Sequence, residues 1–323
     1  MQFSRNLTYR KNTFAFRGVA VVLKGGLIAA SFYYVISKML LEQVALKEIA
    51  SLFTNLNFVL LLVLLIVLMV FNWAIEAKKW QIIAEGHQYI SFRKAFKAIL
   101  AGVSMDAVLP MGAGAISSKL LSVNNSGKKQ LVAPVIIAQG IQSIWTVAFG
   151  LIGLSQLANF TTIFPIYGTP SIYVLIGIAF IFIVWGWRRK WSNSFKFYIE
   201  SIKNVPVSIW LLIASLSLLR YLIFFAQLLI LSTYLAPEIP LSVLIGCISW
   251  MFFAKTIIPK PGHLGALGIR GASVVFFLNL VGYASSEVVL ATVVLWFINL
   301  ALPSLVGLYF IKDLQFKNNI AND

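Results

Sequence analysis

The chain has 323 residues, of which 60% are hydrophobic and only 11% are charged, and its mean hydropathy is +0.89. A soluble domain carries about 25% charged residues, so this composition indicates that the lipid bilayer, and not water, is the main solvent. The formal net charge of +16 comes from short basic clusters at the ends of apolar segments, which is typical of membrane topology signals. We therefore expect no nucleic-acid partner.

Apolar segments of roughly 20 residues, the length that crosses a bilayer, recur along the chain. The first follows a polar, basic N-terminus without a signal-peptide cleavage motif, which predicts a retained first helix. The pattern predicts an all-α fold, a polytopic integral membrane helical bundle of seven or eight spans that forms one domain over residues 1–323. The clear spans are 18–37, 57–75, 131–157, 171–187, 207–235, 241–258 and 288–311.

Lysines and arginines in the loops predict the orientation of these spans, because basic residues resist translocation. Basic clusters precede the first span, follow the second, where they include Lys78 and Lys79, and follow Trp187, whereas loops 158–170 and 236–240 contain none. We therefore expect a protein of the plasma membrane with its N-terminus in the cytoplasm. If residues 259–282 also cross the membrane, the C-terminus lies in the cytoplasm as well. The basic residues on both sides of residues 92–121 can all be cytoplasmic only if this segment enters and leaves the membrane on the cytoplasmic side.

Two apolar segments, 92–121 and 259–282, are interrupted by proline followed by closely spaced glycines. Such interruptions are typical of re-entrant or discontinuous helices, which transporters place in two halves around a binding site at the middle of the bilayer. The alternative is that the glycines only allow neighbouring helices to pack closely.

A helix that begins inside the membrane presents free backbone N–H groups, which favour an anion. Small residues and cationic side chains follow the proline in each broken segment, so we expect both to bind an anionic lipid headgroup. Alternatively, Lys119 extends to the membrane surface. The candidate headgroup-binding residues are Gly112, Gly114, Ser117, Ser118 and Lys119 in the first segment and Gly262, His263, Gly265, Gly268 and Arg270 in the second.

Two ionisable residues lie within apolar stretches, where a charge is costly unless it is paired or hydrated. Asp106 precedes the first break, and we predict that it pairs with Arg270, with Arg220 and Lys255 as competing partners. Such a pair would join the two broken segments or act as a gate, unless Asp106 lies at a hydrated membrane boundary. Arg220 lies near the middle of span 207–235 and should face a cavity or a carboxylate.

Motifs for catalysis and for cofactors are not found in the sequence. It contains no P-loop for ATP, and its two histidines, His87 and His263, form no metal-ligand spacing with acidic residues or with the single Cys247. We therefore expect a protein that is not an enzyme and that has no metal site and no cofactor.

Four stretches of the chain resemble the transmembrane part of the lysylphosphatidylglycerol synthase family. They are the run from Asn72 to Trp80, the stretch 95–110 with Gly112 and Gly114, the run from Pro259 to Gly271 and the run from Trp296 to Pro303. This part is also described as a flippase-like domain. The family has a glutamate and then an arginine in its first broken segment, where this chain has Ala115 and, nearby, Lys119. Some members add a soluble aminoacyl transferase domain, and we expect none in this chain, which ends at Asp323.

The resemblance implies the membrane part alone, which is associated with moving or accommodating lipids between leaflets. We therefore expect a non-catalytic bundle that binds an anionic phospholipid and flips it, either downhill or coupled to an ion through Asp106. The alternative is a scaffold that transports nothing and partners a separately encoded lipid-modifying enzyme.

Overall fold

A computed structural model describes residues 53–109, 112–160, 200–258 and 262–314. These residues are mostly helical and contain no β-strand. Five of the helices in these ranges are long and apolar enough to cross a membrane. The prediction of an all-α, polytopic membrane bundle is confirmed. The predicted spans 18–37 and 171–187, and the N-terminus, lie outside the described residues.

Three long helices form the frame of the bundle: α1 (Leu56–Glu85), α4 (Asn125–Phe160) and α5 (Val207–Leu235). Each contains one of the predicted spans, but α1 continues well past Ile75, where the predicted span ended. Helices α1 and α5 are antiparallel, because Gln227 Nε2 donates to the carbonyl of Leu65 at 2.8 Å and Asn72 Nδ2 donates to the carbonyl of Arg220 at 3.0 Å.

The first broken segment forms a hairpin of two short helices, α2 (Phe92–Asp106) and α3 (Ala113–Leu121). A Cβ added at Gly102 would overlap the hydroxyl of Ser118, and one at Gly114 would overlap the backbone of Asp106. These paired positions show that the two helices are antiparallel and too close for larger side chains. Helix α2 ends at Asp106 and α3 begins at Ala113, and both outer ends of the hairpin lie at the same end of the bundle.

The second broken segment is a continuous helix after an interruption at its start. Helix α6 (Leu241–Ile257) ends before Pro259 and Pro261, residues that cannot donate a helical hydrogen bond, and α7 (Gly262–Leu280) begins after them. The glycines at 265, 268 and 271 lie within α7 and do not interrupt it. Helices α6 and α7 pack on each other, with the rings of Trp250 and Phe276 5.8 Å apart, and form a second hairpin.

The last predicted span consists of α8 (Ser286–Trp296), a π-helical turn (Phe297–Ala301) and α9 (Leu302–Phe310), and it ends in a short 3-10 turn (Ile311–Asp313). The π-helical turn precedes Pro303, which has no N–H to donate to the carbonyl of Asn299. The indole Nε1 of Trp73 donates to this carbonyl at 3.2 Å. The irregular turn therefore connects the last span to α1.

Two apolar clusters mark opposite ends of the bundle. One contains Phe58 at the start of α1 with Leu231, Val243 and Phe277, and the other contains Trp80 near the end of α1 with Ile90, Leu131 and Ile213. The ion pair between Lys97 Nζ and Asp313 Oδ2, at 3.0 Å, places the end of the last span beside the start of α2. The described C-terminal residues and the open end of the α2–α3 hairpin thus lie at the same end.

The bends of the two hairpins meet inside the bundle. Gly262 has a positive φ of 61°, and a Cβ there would overlap the carbonyl of Ala107. Trp296 Nε1 donates to the carbonyl of His263 at 3.0 Å. At 1.5 Å per residue, this contact lies about 15 Å along a helical segment, Ser286 to Asp313, that is about 42 Å long. The meeting point is therefore far from both ends of the last span.

Candidate anion-binding cavity

A cavity of about 220 Å³ lies between the two hairpins and helices α1, α4 and α5. Most of the charged side chains that line it are cationic. Two carboxylates, Glu76 and Asp106, face four cations and one histidine, so the lining has an excess of positive charge. The cations are Lys119, Arg220, Lys255 and Arg270, and the histidine is His263.

Glu76, on α1, is the centre of a buried ion-pair network. Its carboxylate accepts hydrogen bonds from Lys119 Nζ and Arg220 Nη1, both at 2.5 Å, and from Lys79 Nζ at 3.1 Å. All four side chains are buried. One carboxylate therefore binds three cations, which belong to α1, α3 and α5, and the network connects the first hairpin to the frame helices.

Arg220 has further partners that fix its position. Asn72, one turn before Glu76 on α1, accepts from Arg220 Nε at 2.9 Å. The guanidinium carbon lies 5.2 Å from the ring centroid of Trp73 and 5.8 Å from that of Phe224, close enough for cation–π attraction. Arg220 thus faces both the cavity and the carboxylate of Glu76.

Asp106 occupies the N-terminus of α3. Its Oδ1 accepts from the backbone N–H groups of Gly114 at 2.8 Å and Ala115 at 3.2 Å. The first-turn amides that were expected to bind a lipid headgroup therefore bind a carboxylate of the same hairpin, which favours the helix in the same way. The predicted ion pair between Asp106 and Arg270 is not formed, although both residues line the cavity.

Arg270, on the third turn of α7, differs from the other buried cations. It is only 7% exposed, and no aspartate or glutamate of the described ranges lies within ion-pairing distance of its guanidinium. Its Nε has no hydrogen-bond partner among the described residues. A buried charge without a partner costs several kcal/mol, so this side chain is the strongest indication of an anion in the cavity.

The structure brings together only part of the predicted set. Gly112, Lys119, Gly262, His263 and Arg270 line the cavity together with Asp106 and Arg220. Gly114 and Ser118 lie instead where α2 and α3 pack, and Ser117 lies on α3 outside the cavity lining. Gly265 and Gly268 are buried in α7 and also lie outside the lining. For Gly114, the alternative of close helix packing is thus the better description.

Lys79 and Lys119 do not lie where the charge pattern suggested. Lys79 was counted among loop lysines but is 1% exposed on α1, and Lys119 is 3% exposed and does not extend to a membrane surface. Both bind Glu76, which sequence reasoning did not select. The signal was the spacing of Asn72, Glu76 and Lys79, which places all three on one face of a helix that continues past Ile75.

The fold and the cavity define a multi-pass integral membrane protein with a cation-rich interior. The chain belongs to the family described as the lysylphosphatidylglycerol synthase TM region, whose family model matches residues 19–307. No curated protein and no solved structure matches the chain. The family is a lipid-related one, and its name refers to the membrane region of a synthase and does not by itself establish catalysis in this chain.

Proposed function

We propose that the cavity binds the phosphate of an anionic lipid headgroup and that the protein moves this lipid between the two leaflets. The observation that carries the proposal is the buried Arg270, whose Nε lacks a hydrogen-bond partner in the described part of the chain. A guanidinium presents a planar set of donors that fits a phosphate in a bidentate manner. A bound phosphate would relieve the cost of burying this charge.

The other cavity residues support an anion near Arg270. Lys119 and Arg220 are engaged by Glu76. Arg270 lies outside this network and forms no ion pair with an aspartate or glutamate of the described ranges. Gly262 and His263 line the cavity at the N-terminus of α7, and the positive end of a helix dipole favours an anion. Two regions of positive potential thus belong to the same helix, one at its N-terminus and one on its third turn.

The two hairpins suggest a route for the headgroup. We infer that both are re-entrant: α2–α3 enters from the end of the bundle that carries Lys97, and α6–α7 enters from the opposite end. Their bends meet where Gly262 touches Ala107, beside the cavity. The distribution of basic residues favours an orientation in the plasma membrane with the Lys97 end in the cytoplasm. A headgroup in the cavity would then be separated from each leaflet by one hairpin.

Lipid movement between leaflets tests the proposal. The purified protein is reconstituted into vesicles with a fluorescent anionic phospholipid, and the fraction quenched by a membrane-impermeant reductant is followed over time. The variants are Arg270→Met, which keeps an unbranched apolar side chain in place of the aliphatic part of arginine and removes its charge, and Lys129→Gln, which removes an exposed cation outside the cavity. We expect the wild type and Lys129→Gln to move the lipid and Arg270→Met to match empty vesicles.

Thermal unfolding of the same variants separates function from folding. Because Arg270 is a buried charge without a described partner, Arg270→Met should stabilise the lipid-free protein by about 1 kcal/mol or more. Loss of lipid movement in a protein that is at least as stable as the wild type supports the proposal. Absence of movement in the wild type contradicts it and favours the alternative function, a scaffold for a lipid-modifying enzyme.

A further inference from the structure

A second pocket, of about 240 Å³, lies on the outside of the bundle between the start of α2 and the end of α9. It is separate from the central cavity, because no residue lines both. Arg93, Lys94 and Lys97 of α2 line one side, and Phe310, Asp313 and Leu314 line the other. The pocket thus lies at the open end of the first hairpin, where polar groups meet the apolar bundle.

The charges of this pocket are not balanced by the described residues. Asp313 is its single carboxylate, and it binds Lys97 at 3.0 Å. Arg93 and Lys94 form no ion pair with an aspartate or glutamate of the described ranges. Ser91 accepts from the backbone N–H of Lys94 at 3.3 Å and caps α2, so the pocket also receives the positive end of that helix.

An exposed apolar surface continues from the pocket along α9. Leu305, Leu308 and Tyr309 are 57% to 64% exposed, and they belong to a helix of a candidate membrane span. Lys312 lies at the end of this surface, with its Nζ 3.6 Å from the ring centroid of Tyr309. A basic pocket next to an apolar helix face is complementary to a phospholipid, in which an anionic phosphate lies next to apolar acyl chains.

We infer that this pocket binds the headgroup of an anionic phospholipid from the surrounding leaflet. Basic pockets between membrane helices are established sites for anionic headgroups. The phosphate would lie between Arg93 and Lys94, and the acyl chains would lie along α9. Such a lipid would fasten the open end of the α2–α3 hairpin to the last span. This inference does not depend on lipid movement through the central cavity.

Binding is tested by native mass spectrometry of the full chain in detergent, titrated with phosphatidylglycerol or, as a zwitterionic comparison, phosphatidylcholine. All proteins carry Arg270→Met, so that an anion in the central cavity is not counted. One cation near a membrane surface is worth about a fivefold change in affinity for an anionic headgroup. The double variant Arg93→Gln/Lys94→Gln should therefore bind phosphatidylglycerol about 30-fold more weakly than its Arg270→Met parent.

The control is Lys129→Gln, an exposed cation near the start of α4 and outside the pocket, which should leave the affinity for phosphatidylglycerol unchanged. Because Arg93 is exposed and Lys94 is half-buried, the double variant should unfold at the temperature of its parent. Equal affinity of the double variant and its parent overturns the inference. Displacement of the lipid by inorganic phosphate at a similar concentration also overturns it, since the pocket would then bind free phosphate.

Discussion

Arg220 and Glu76 lie on antiparallel helices and form a buried ion pair at the wall of the central cavity. Arg220 depends on this carboxylate, because an isolated charge inside a membrane bundle is costly. Glu76 also binds Lys79 and Lys119. This carboxylate therefore connects the first hairpin to both α1 and α5.

Glu76→Gln should strongly destabilise the protein, because it leaves three buried cations without their counter-charge. Breaking a buried ion pair by removing one partner costs about 3–5 kcal/mol. The measurement is thermal unfolding in detergent, with Glu85→Gln as a control, since Glu85 is an exposed carboxylate on the same helix. Equal melting temperatures for the two variants would show that the network contributes little to stability.

Asp106 should act mainly as a cap for α3. Asp106→Ala removes the acceptor for the N–H groups of Gly114 and Ala115 and should cost about 1 kcal/mol. Asp106→Asn keeps an oxygen acceptor and should cost less. In the vesicle assay, we expect Asp106→Asn to retain lipid movement. Complete loss of movement in a stable Asp106→Asn protein would instead support ion coupling through this carboxylate.

Close packing between α9 and α2 depends on Gly307, where a Cβ would overlap the carbonyl of Leu100. Gly307→Ala should therefore destabilise the protein by about 1–3 kcal/mol, the usual cost of overpacking. Gly140→Ala is the matched control, since a Cβ at this position on α4 meets nothing within 4 Å. It should be neutral or stabilising, because alanine favours a helix. A neutral Gly307→Ala would contradict the packing.

The arrangement of the hairpins predicts which positions share a side of the membrane. Cysteines introduced at Arg93 and Lys129 should react with a membrane-impermeant thiol reagent from one side, and a cysteine at Glu238 should react from the other. All three positions are exposed, whereas the native Cys247 is buried and should not react. Reaction of the Arg93 and Lys129 positions from opposite sides would show that α2–α3 crosses the membrane.

Much of the fold could be predicted because helix length and hydropathy are local properties. The bounds of α5 agree with the predicted span 207–235, and a lone arginine in its middle required a polar partner. The end of α1 was harder to predict, since Lys78 and Lys79 suggested a loop. Lys79 is instead buried against Glu76, a contact that depends on long-range packing with α3 and α5.

The candidate site was predicted only in part for the same reason. The positions of Arg270, His263 and Lys119 beside one cavity follow from two broken segments that face each other. Asp106 caps α3 and does not pair with Arg270, which has no ion pair among the described residues. This arrangement depends on the geometry of the hairpin. Spacing along the chain contains no information on this geometry.

The most direct test of the central claim is whether a lipid phosphate touches Arg270. Solid-state NMR can measure phosphorus–nitrogen proximity between an anionic phospholipid and arginine guanidinium groups in the reconstituted protein. The chain has further arginines in its basic clusters, so the measured quantity is the change in the intensity of the phosphorus–guanidinium contacts when Arg270 is replaced. With Arg93→Gln as the background, to remove an arginine of the outer pocket, we predict that Arg93→Gln/Arg270→Met loses part of this intensity. If the intensity is the same with and without Arg270, the cavity does not bind a headgroup through this residue.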